Sequence, residues 1–350
     1  MSVQETQHIE FSGCSLTGKR AENQDAFIVK YPTTRDELAY KGVVACIADG
    51  VSCSNQAQQA SQTATTQFVT DYYATPSSWS IKRSVSELLT SLNSWLYTQG
   101  KDNLYHNGMV TTFSTIVIKS NTGYIFHVGD SRVYLYRDDT LTLLTRDHQR
   151  TNFGHQSYLT RALGMDEKVE IDFQTLSLEE NDKLILTTDG VHETLTHDEI
   201  KRRVNTIDSC DELAQDLCDT ALLKGSTDNT SCIVLKVVEL PSFNLIEHQT
   251  ALLANNIPPA LKQGQNLDHF EILKTLYEGS RSHVYLALDK QKGGNVIIKA
   301  PSLNYSDDPE TLKRFANEYW IATQLDSPRV MKMFPRPRRS KFLYQVCEYI

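Results

Sequence analysis

The chain has 350 residues, enough for two domains with cores of their own. Hydrophobic residues make up 40% and charged residues 22%; no apolar run approaches the ~18–20 residues that span a bilayer, and the polar first stretch lacks a signal-peptide core. The formal net charge is −8, and the excess lies in residues 1–266, where 33 acidic face 22 basic side chains, which excludes the basic footprint of a nucleic-acid binder and is compatible with cation binding.

In chain order, Arg20-Ala21-Glu22-Asn23-Gln24-Asp25 is a polar loop feeding the apolar strand Ala26-Phe27-Ile28-Val29. Val43-Val44-Ala45-Cys46-Ile47-Ala48 then ends abruptly on Asp49-Gly50. A run this short and apolar reads as a strand buried on both faces. Asp49 falls where the strand leaves the core, and Gly50 lets the backbone turn and its carbonyl approach a ligand. Ala57, Ala60, Ala64, Phe68 and Tyr72 recur at helical spacing until Thr75-Pro76 breaks the pattern. Val85, Leu88, Leu89, Leu92, Trp95 and Leu96 predict a second helix, with Gly100 as its stop. Two amphipathic helices after a buried strand imply a helical layer on a sheet.

From Met109 the chain turns β-branched. Strands are predicted over 110–118, 124–128, 132–137 and 141–144, with a turn at Gly129-Asp130-Ser131, as an antiparallel meander. Residues 145–157 read as irregular. Leu184-Ile185-Leu186-Thr187-Thr188-Asp189-Gly190 repeats the apolar run ending on Asp-Gly. Thr196-His197-Asp198-Glu199 and Ser209-Cys210-Asp211-Glu212 read as capping boxes opening helices. Gly225-Ser226-Thr227-Asp228-Asn229 leads into a strand over 231–238. Residues 241–266, with Pro241, Pro258 and Pro259, read as a linker between domains at 1–240 and 267–350. The seven cysteines show no CxxC pairing and read as reduced core residues of a cytosolic protein.

Asp49, Asp130, Asp189 and Asp228 share one context, an apolar strand beside a turn. Any one of them alone reads as a turn former. Four carboxylates gathered at one end of a sheet repel and call for cations. An all-oxygen set selects Mg²⁺ or Mn²⁺ over Zn²⁺. Two such ions ~3.5–4 Å apart could share a water and lower its pKa. Facing an arginine, that arrangement suits in-line attack on a phosphate monoester.

Arg20-x-x-Asn23-Gln24-Asp25, Asp49-Gly50, the approach 108–112, Val128-Gly129-Asp130-Ser131-Arg132, Leu144-Thr145-Arg146-Asp147-His148, Asp189-Gly190 and Asp228-Asn229 occur in one order. That order resembles the metal-dependent protein phosphatases of the protein phosphatase 2C type, over residues 9–238. The resemblance implies an α+β fold, a central antiparallel β-sandwich flanked by helix pairs. It implies hydrolysis of phosphoserine and phosphothreonine in protein substrates, without a phosphoenzyme. By the same resemblance Asp49 bridges two metals with help from the Gly50 carbonyl, and Asp189 and Asp228 complete the pair. Asp130 holds a third, weaker ion, Asp25 orients a water, and Arg20 clamps the phosphate. Val51-Ser52-Cys53-Ser54 departs from the family's usual continuation after Asp-Gly, so the leaving-group acid is unassigned, with metal-bound water the expectation. His127, His148 and His192 are expected to be structural.

Residues 267–350 resemble a protein-kinase N-terminal lobe. Leu276-Tyr277-Glu278-Gly279-Ser280-Arg281-Ser282-His283-Val284 holds the glycine-rich-loop position with only Gly279 of three glycines. Lys299 matches the strand lysine, Glu318 its helix partner, and Cys347-Glu348-Tyr349-Ile350 the hinge. ATP is the ligand this implies, though no catalytic-loop Asp-Asn pair or Asp-Phe-Gly follows, so this stretch alone is not expected to phosphorylate. The expectation is a fragment of a longer phosphatase–kinase fusion, cytoplasmic, with a membrane tether open for the longer form. The competing reading is a degenerate phosphatase that acts as a binding or regulatory module for the kinase-like part.

Overall fold

The computed structural model describes the chain except residues 1–6, 55, 103–107, 152–156, 242–246, 248–251, 254, 307, 326, 328, 335 and 338–339. It divides into two compact units, residues 1–242 and 243–350.

The first unit holds two five-stranded antiparallel sheets. One runs β1 (His8–Leu16), β12 (Thr230–Glu239), β11 (Lys183–Thr187), β6 (Arg132–Arg137), β7 (Thr140–Leu143). The other runs β10 (Asp172–Ser177), β5 (Thr122–Val128), β4 (Phe113–Lys119), β3 (Val43–Asp49), β2 (Asp25–Lys30). A small hairpin, β8 (Gln149–Thr151) with β9 (Ser157–Leu159), stands apart from both sheets.

The strand period of two explains the layering. Val43, Ala45 and Ile47 of β3 pack with Ile116, Val133, Leu184, Leu186 and Ile233, which fill the space between the sheets. Val44, Cys46 and Ala48 of the same strand face outward, onto Phe68, Val85 and Leu89. Those three belong to helices α2 (Ala57–Ala74) and α3 (Ile81–Asp102), which cover that sheet. Beyond the short α1 (Arg35–Tyr40) and α4 (Asp189–His192), helices α5 (His197–Thr206) and α6 (Cys210–Leu223) cover the other sheet through Ile200, Val204, Leu213 and Leu217. Burying aliphatic side chains of this size contributes roughly 1.5–3 kcal/mol each, so a strand apolar on both faces is what a sheet covered on both faces requires. The Thr196 capping box that opens α5 is present in full, and Ser209 accepts from the Glu212 N–H to open α6.

Several expectations change. The meander is not one sheet: β4 and β5 pair in the second sheet, β6 and β7 in the first, and the chain crosses between sheets at residues 129–131. Both turn and strands were legible, but alternation cannot say which sheet a strand joins. Gly100 does not stop α3, which runs on to Asp102. The second Asp-Gly is not a strand end, since β11 stops at Thr187 and Asp189 opens α4. Strands β1 and β10, whose residues are largely polar or half-exposed, lacked the apolar signal and went unread.

The second unit is a six-stranded antiparallel sheet with one long helix. The strand order is β13 (Asn266–Leu267), β14 (Phe270–Glu278), β15 (Ser282–Asp289), β16 (Asn295–Pro301), β18 (Gln345–Glu348), β17 (Met333–Phe334). Helix α7 (Pro309–Thr323) starts on an Asp308 cap with proline in its first turn. The stretch read as a linker is partly built into this unit. Leu252 is buried with Phe315 and Tyr319, Asn256 bridges to Phe342, and the Leu261 N–H donates to the Tyr285 hydroxyl at 3.0 Å. Pro258 and Pro259 mark a packed irregular segment, which composition does not distinguish from a free one.

Candidate active site

The two Asp-Gly pairs come from different sheets and meet at one end of the sandwich. Asp49 is the last residue of β3, and Asp189 the first of α4 just beyond β11. Both glycines are required by close packing. A Cβ on Gly50 would lie 2.2 Å from the Ala57 carbonyl oxygen, and one on Gly190 2.0 Å from that of Asn229. Each glycine therefore lets a neighbouring backbone press against the strand exit that carries the carboxylate.

Asp49, Asp130, Asp189, Glu193 and Asp228 line a single cleft of about 470 Å³, with Gly50, Val51, Cys53, Thr112, Gln149, Tyr158 and Met165 also on its walls. Asp49 and Asp189 face the same cleft from opposite sheets, close enough for each to act on the other's charge. Carboxyls gathered out of water hold their protons more tightly than exposed ones. Burial, then the charges of Asp189, Asp25, Asp130 and Asp228, push the Asp49 carboxyl well above the usual range. Asp189 is pushed up to about 6 by burial, then by Asp228 and Glu193, with Asp49 acting the other way. Asp130 is pushed up to about 7, again by burial first and then by Asp189, Asp147 and Glu193.

Asp25 lies under this cluster, paired across the ladder with Asp49. The Thr188 hydroxyl donates to its Oδ2 at 2.8 Å. Burial pushes Asp25 up to about 7, against the hydrogen bonds of Ser231 and Thr188. Arg20 does not stand free at the mouth: its guanidinium donates to Asp228 Oδ2 at 2.6 Å, with about a third of each side chain exposed.

Uncompensated acidic groups with only oxygen donors fit hard divalent cations. Among the described residues no three of them are already gathered about a common point at ligand distances. One oxygen of Asp228 is held by Arg20.

Four residues around the site carry tasks that the sequence reading does not assign. Glu193 stands four residues after Asp189, the spacing of one helical turn, and would have been legible had 189–193 been read as helix. Thr112, buried, accepts from the Asp49 N–H at 3.0 Å and meets the Ser131 hydroxyl at 2.7 Å, tying β3 to the Asp130 turn. Thr188 holds Asp25. Asn229 accepts from the Gln24 N–H and donates to the carbonyls of Thr17 and Glu22, holding the Arg20 loop beside Asp228. Of the three motif histidines, His127 and His192 are buried and pushed down to about 4 and about 3, chiefly by burial.

In the second unit Lys299 on β16 and Glu318 on α7 form a 2.6 Å ion pair. Gly279 sits under the ring of Tyr277, whose hydroxyl would lie 2.3 Å from a Cβ at that position.

The family profile described as Protein phosphatase 2C matches residues 13–223. A Streptococcus pyogenes protein described as protein phosphatase 2C-type is 29% identical over 229 residues, covering 60% of this chain and 90% of that relative. The Listeria welshimeri serine/threonine phosphatase stp is 30% identical over 156 residues, which is 40% of this chain and 61% of that relative. Among solved structures, a serine/threonine phosphatase from Staphylococcus aureus superposes with a TM-score of 0.61 at 22% identity, covering 68% of this chain and 99% of that one. The Mycobacterium tuberculosis serine/threonine phosphatase gives 0.56 at 24%, covering 66% and 99%. At these identities the structural likeness concerns the fold.

Proposed function

The chain belongs to the protein phosphatase 2C family and is a protein-serine/threonine phosphatase; from that premise we propose that its first unit hydrolyses phosphoserine and phosphothreonine in proteins with Mg²⁺ or Mn²⁺, directly and without a phosphoenzyme. The observation that carries this reading is the convergence of Asp49 and Asp189, 140 residues apart and from two sheets, with Asp130, Glu193 and Asp228 in one acidic cleft.

In this reading Asp49, the Gly50 carbonyl, Asp189 and Asp228 hold two cations, and Asp130 with Glu193 a third, weaker one. Bound cations would neutralise the buried carboxylates, lower the pKa of water and offset phosphate charge. Asp25, held by Thr188, orients the attacking water. Arg20 leaves Asp228 to take the substrate phosphate, exchanging one anionic partner for another. Mn²⁺-titrated hydrolysis of a phosphothreonine peptide tests this: activity should need the metal and be lost in Asp49→Asn and Asp189→Asn. An enzyme without metal-stimulated turnover would favour the alternative, a degenerate phosphatase serving as a binding module.

For the second unit we propose a kinase N-lobe-like fold that takes ATP through Gly279, Lys299 and Glu318, part of a bifunctional phosphatase–kinase protein. Support comes from the Lys299–Glu318 ion pair joining a sheet strand to the helix. Fluorescent ATP binding that Lys299→Ala abolishes would support it, and no binding by the wild type would count against it.

A further inference from the structure

Asp147 and His148 both bear on the turn that carries Asp130. His148 is buried, 6% exposed. Its backbone N–H donates to the Gly129 carbonyl at 2.7 Å, and its ring Nδ1 accepts from the Gly129 N–H at 3.1 Å. With Nδ1 accepting, the neutral ring carries its proton on Nε2 and donates it to Asp172 Oδ2 at 3.1 Å. Arg161 holds the other oxygen of Asp172 at 3.1 Å. Asp147 grips the far side of the turn: its carboxylate takes the Arg132 guanidinium through Nε at 3.1 Å and the terminal nitrogen at 2.7 Å.

Gly129 and Arg132 flank Asp130, and here the chain passes from one sheet to the other. A strand crossing between sheets leaves its ladder, so its backbone groups need partners from elsewhere. The Gly129 N–H finds one in a side chain whose tautomer is fixed by a carboxylate. Both ends of the turn are thereby held, while the Asp130 side chain lines the cleft.

Resting on the reading that Asp130 holds the weaker cation, we infer that Asp147 and His148 are positioning residues for it, a two-point clamp that sets the divalent affinity of the outer site. The clamp acts through the backbone of residues 129–132 and touches neither metal nor substrate.

The test is Mn²⁺ binding, followed by electron paramagnetic resonance of free Mn²⁺, with metal-free melting recorded alongside. Four proteins are compared: wild type, Asp130→Asn, His148→Leu and His148→Asn. The Asn side-chain oxygen can occupy the place of Nδ1 and accept from Gly129, whereas Leu cannot. The expected result is that Asp130→Asn removes the weakest class of sites and His148→Leu weakens it about tenfold or more. His148→Asn should restore most of it, with the tighter class unchanged in both His148 variants. A weak class that disappears in Asp130→Asn but is untouched in His148→Leu overturns the clamp alone. Equal weakening of every class, tracking a lower metal-free melting point in both His148 variants, also overturns it in favour of a general structural role. A weak class that survives Asp130→Asn, or a wild type that binds no Mn²⁺, overturns the underlying reading of the cleft.

Discussion

Asp25 and Asp49 stand directly opposite one another, the pair at which the β2–β3 ladder opens toward the cleft. Burial first, and then neighbouring carboxylates, make both groups hold protons more tightly than an exposed acid does. In the metal-free protein this makes stability depend on pH. An unfolded carboxyl titrates near 4, whereas Asp189 sits at about 6 and Asp25 and Asp130 at about 7. Raised groups contribute stability that is complete below the unfolded value and lost as pH rises through the folded one. His127 and His192, held low, act the other way and cost stability below about pH 6.5. Asp49→Asn removes a carboxyl and leaves the histidines. In EDTA, its melting point relative to wild type should therefore rise between pH 5 and pH 8. A difference that stays constant across that range would contradict the assignment.

The Arg20–Asp228 ion pair predicts opposite effects from one substitution. Arg20→Ala frees the Asp228 oxygen it holds and, on the proposed reading, removes the partner of the substrate phosphate. Mn²⁺ affinity should hold or rise as KM for a phosphopeptide increases by an order of magnitude, the loss of about 1.4 kcal/mol of binding. Weaker Mn²⁺ binding in the variant would mean that Arg20 supports the cation site instead of competing with it.

Gly50→Ala and Gly190→Ala should each destabilise the first unit, because the added methyl meets backbone oxygen at 2.2 and 2.0 Å. Overpacking of this kind costs roughly 1–3 kcal/mol, and backbone cannot rotate away as a side chain can. Thermal melts check this. An unchanged melting point would show that the two strand exits are less closely held than the contacts indicate.

Lys299→Met should change the stability of the second unit little, since both partners of its ion pair are partly exposed and such pairs contribute ~0–1 kcal/mol. The larger loss should appear in ATP titration. A melting-point fall with nucleotide binding intact would make the pair structural.

Much of the acidic site was legible because its residues sit at strand exits. β3 announces itself through six consecutive apolar residues, and its Asp falls where the buried run ends. The signal fails where local pattern does not encode partnership. Gly129-Asp130-Ser131 reads as a hairpin turn, yet it joins two sheets. Glu193 was hidden because a four-residue helix carries no periodicity. The engagement of Arg20 with Asp228 links residues 208 apart, which spacing cannot reveal. His148 illustrates both limits: it was legible as a core histidine, while its grip on Gly129 belongs to tertiary structure alone.

On the proposed reading, a divalent-cation site built on Asp49 and Asp189 makes water a nucleophile toward phosphoprotein. Mn²⁺-dependent release of phosphate from a phosphothreonine peptide by the full chain, beside Asp49→Asn and Asp189→Asn, tests it most directly. EDTA should abolish wild-type turnover and Mn²⁺ restore it, with either variant reduced by at least 100-fold, or about 2.7 kcal/mol of transition-state stabilisation. Wild-type-like turnover in either variant, or turnover indifferent to metal, would contradict it.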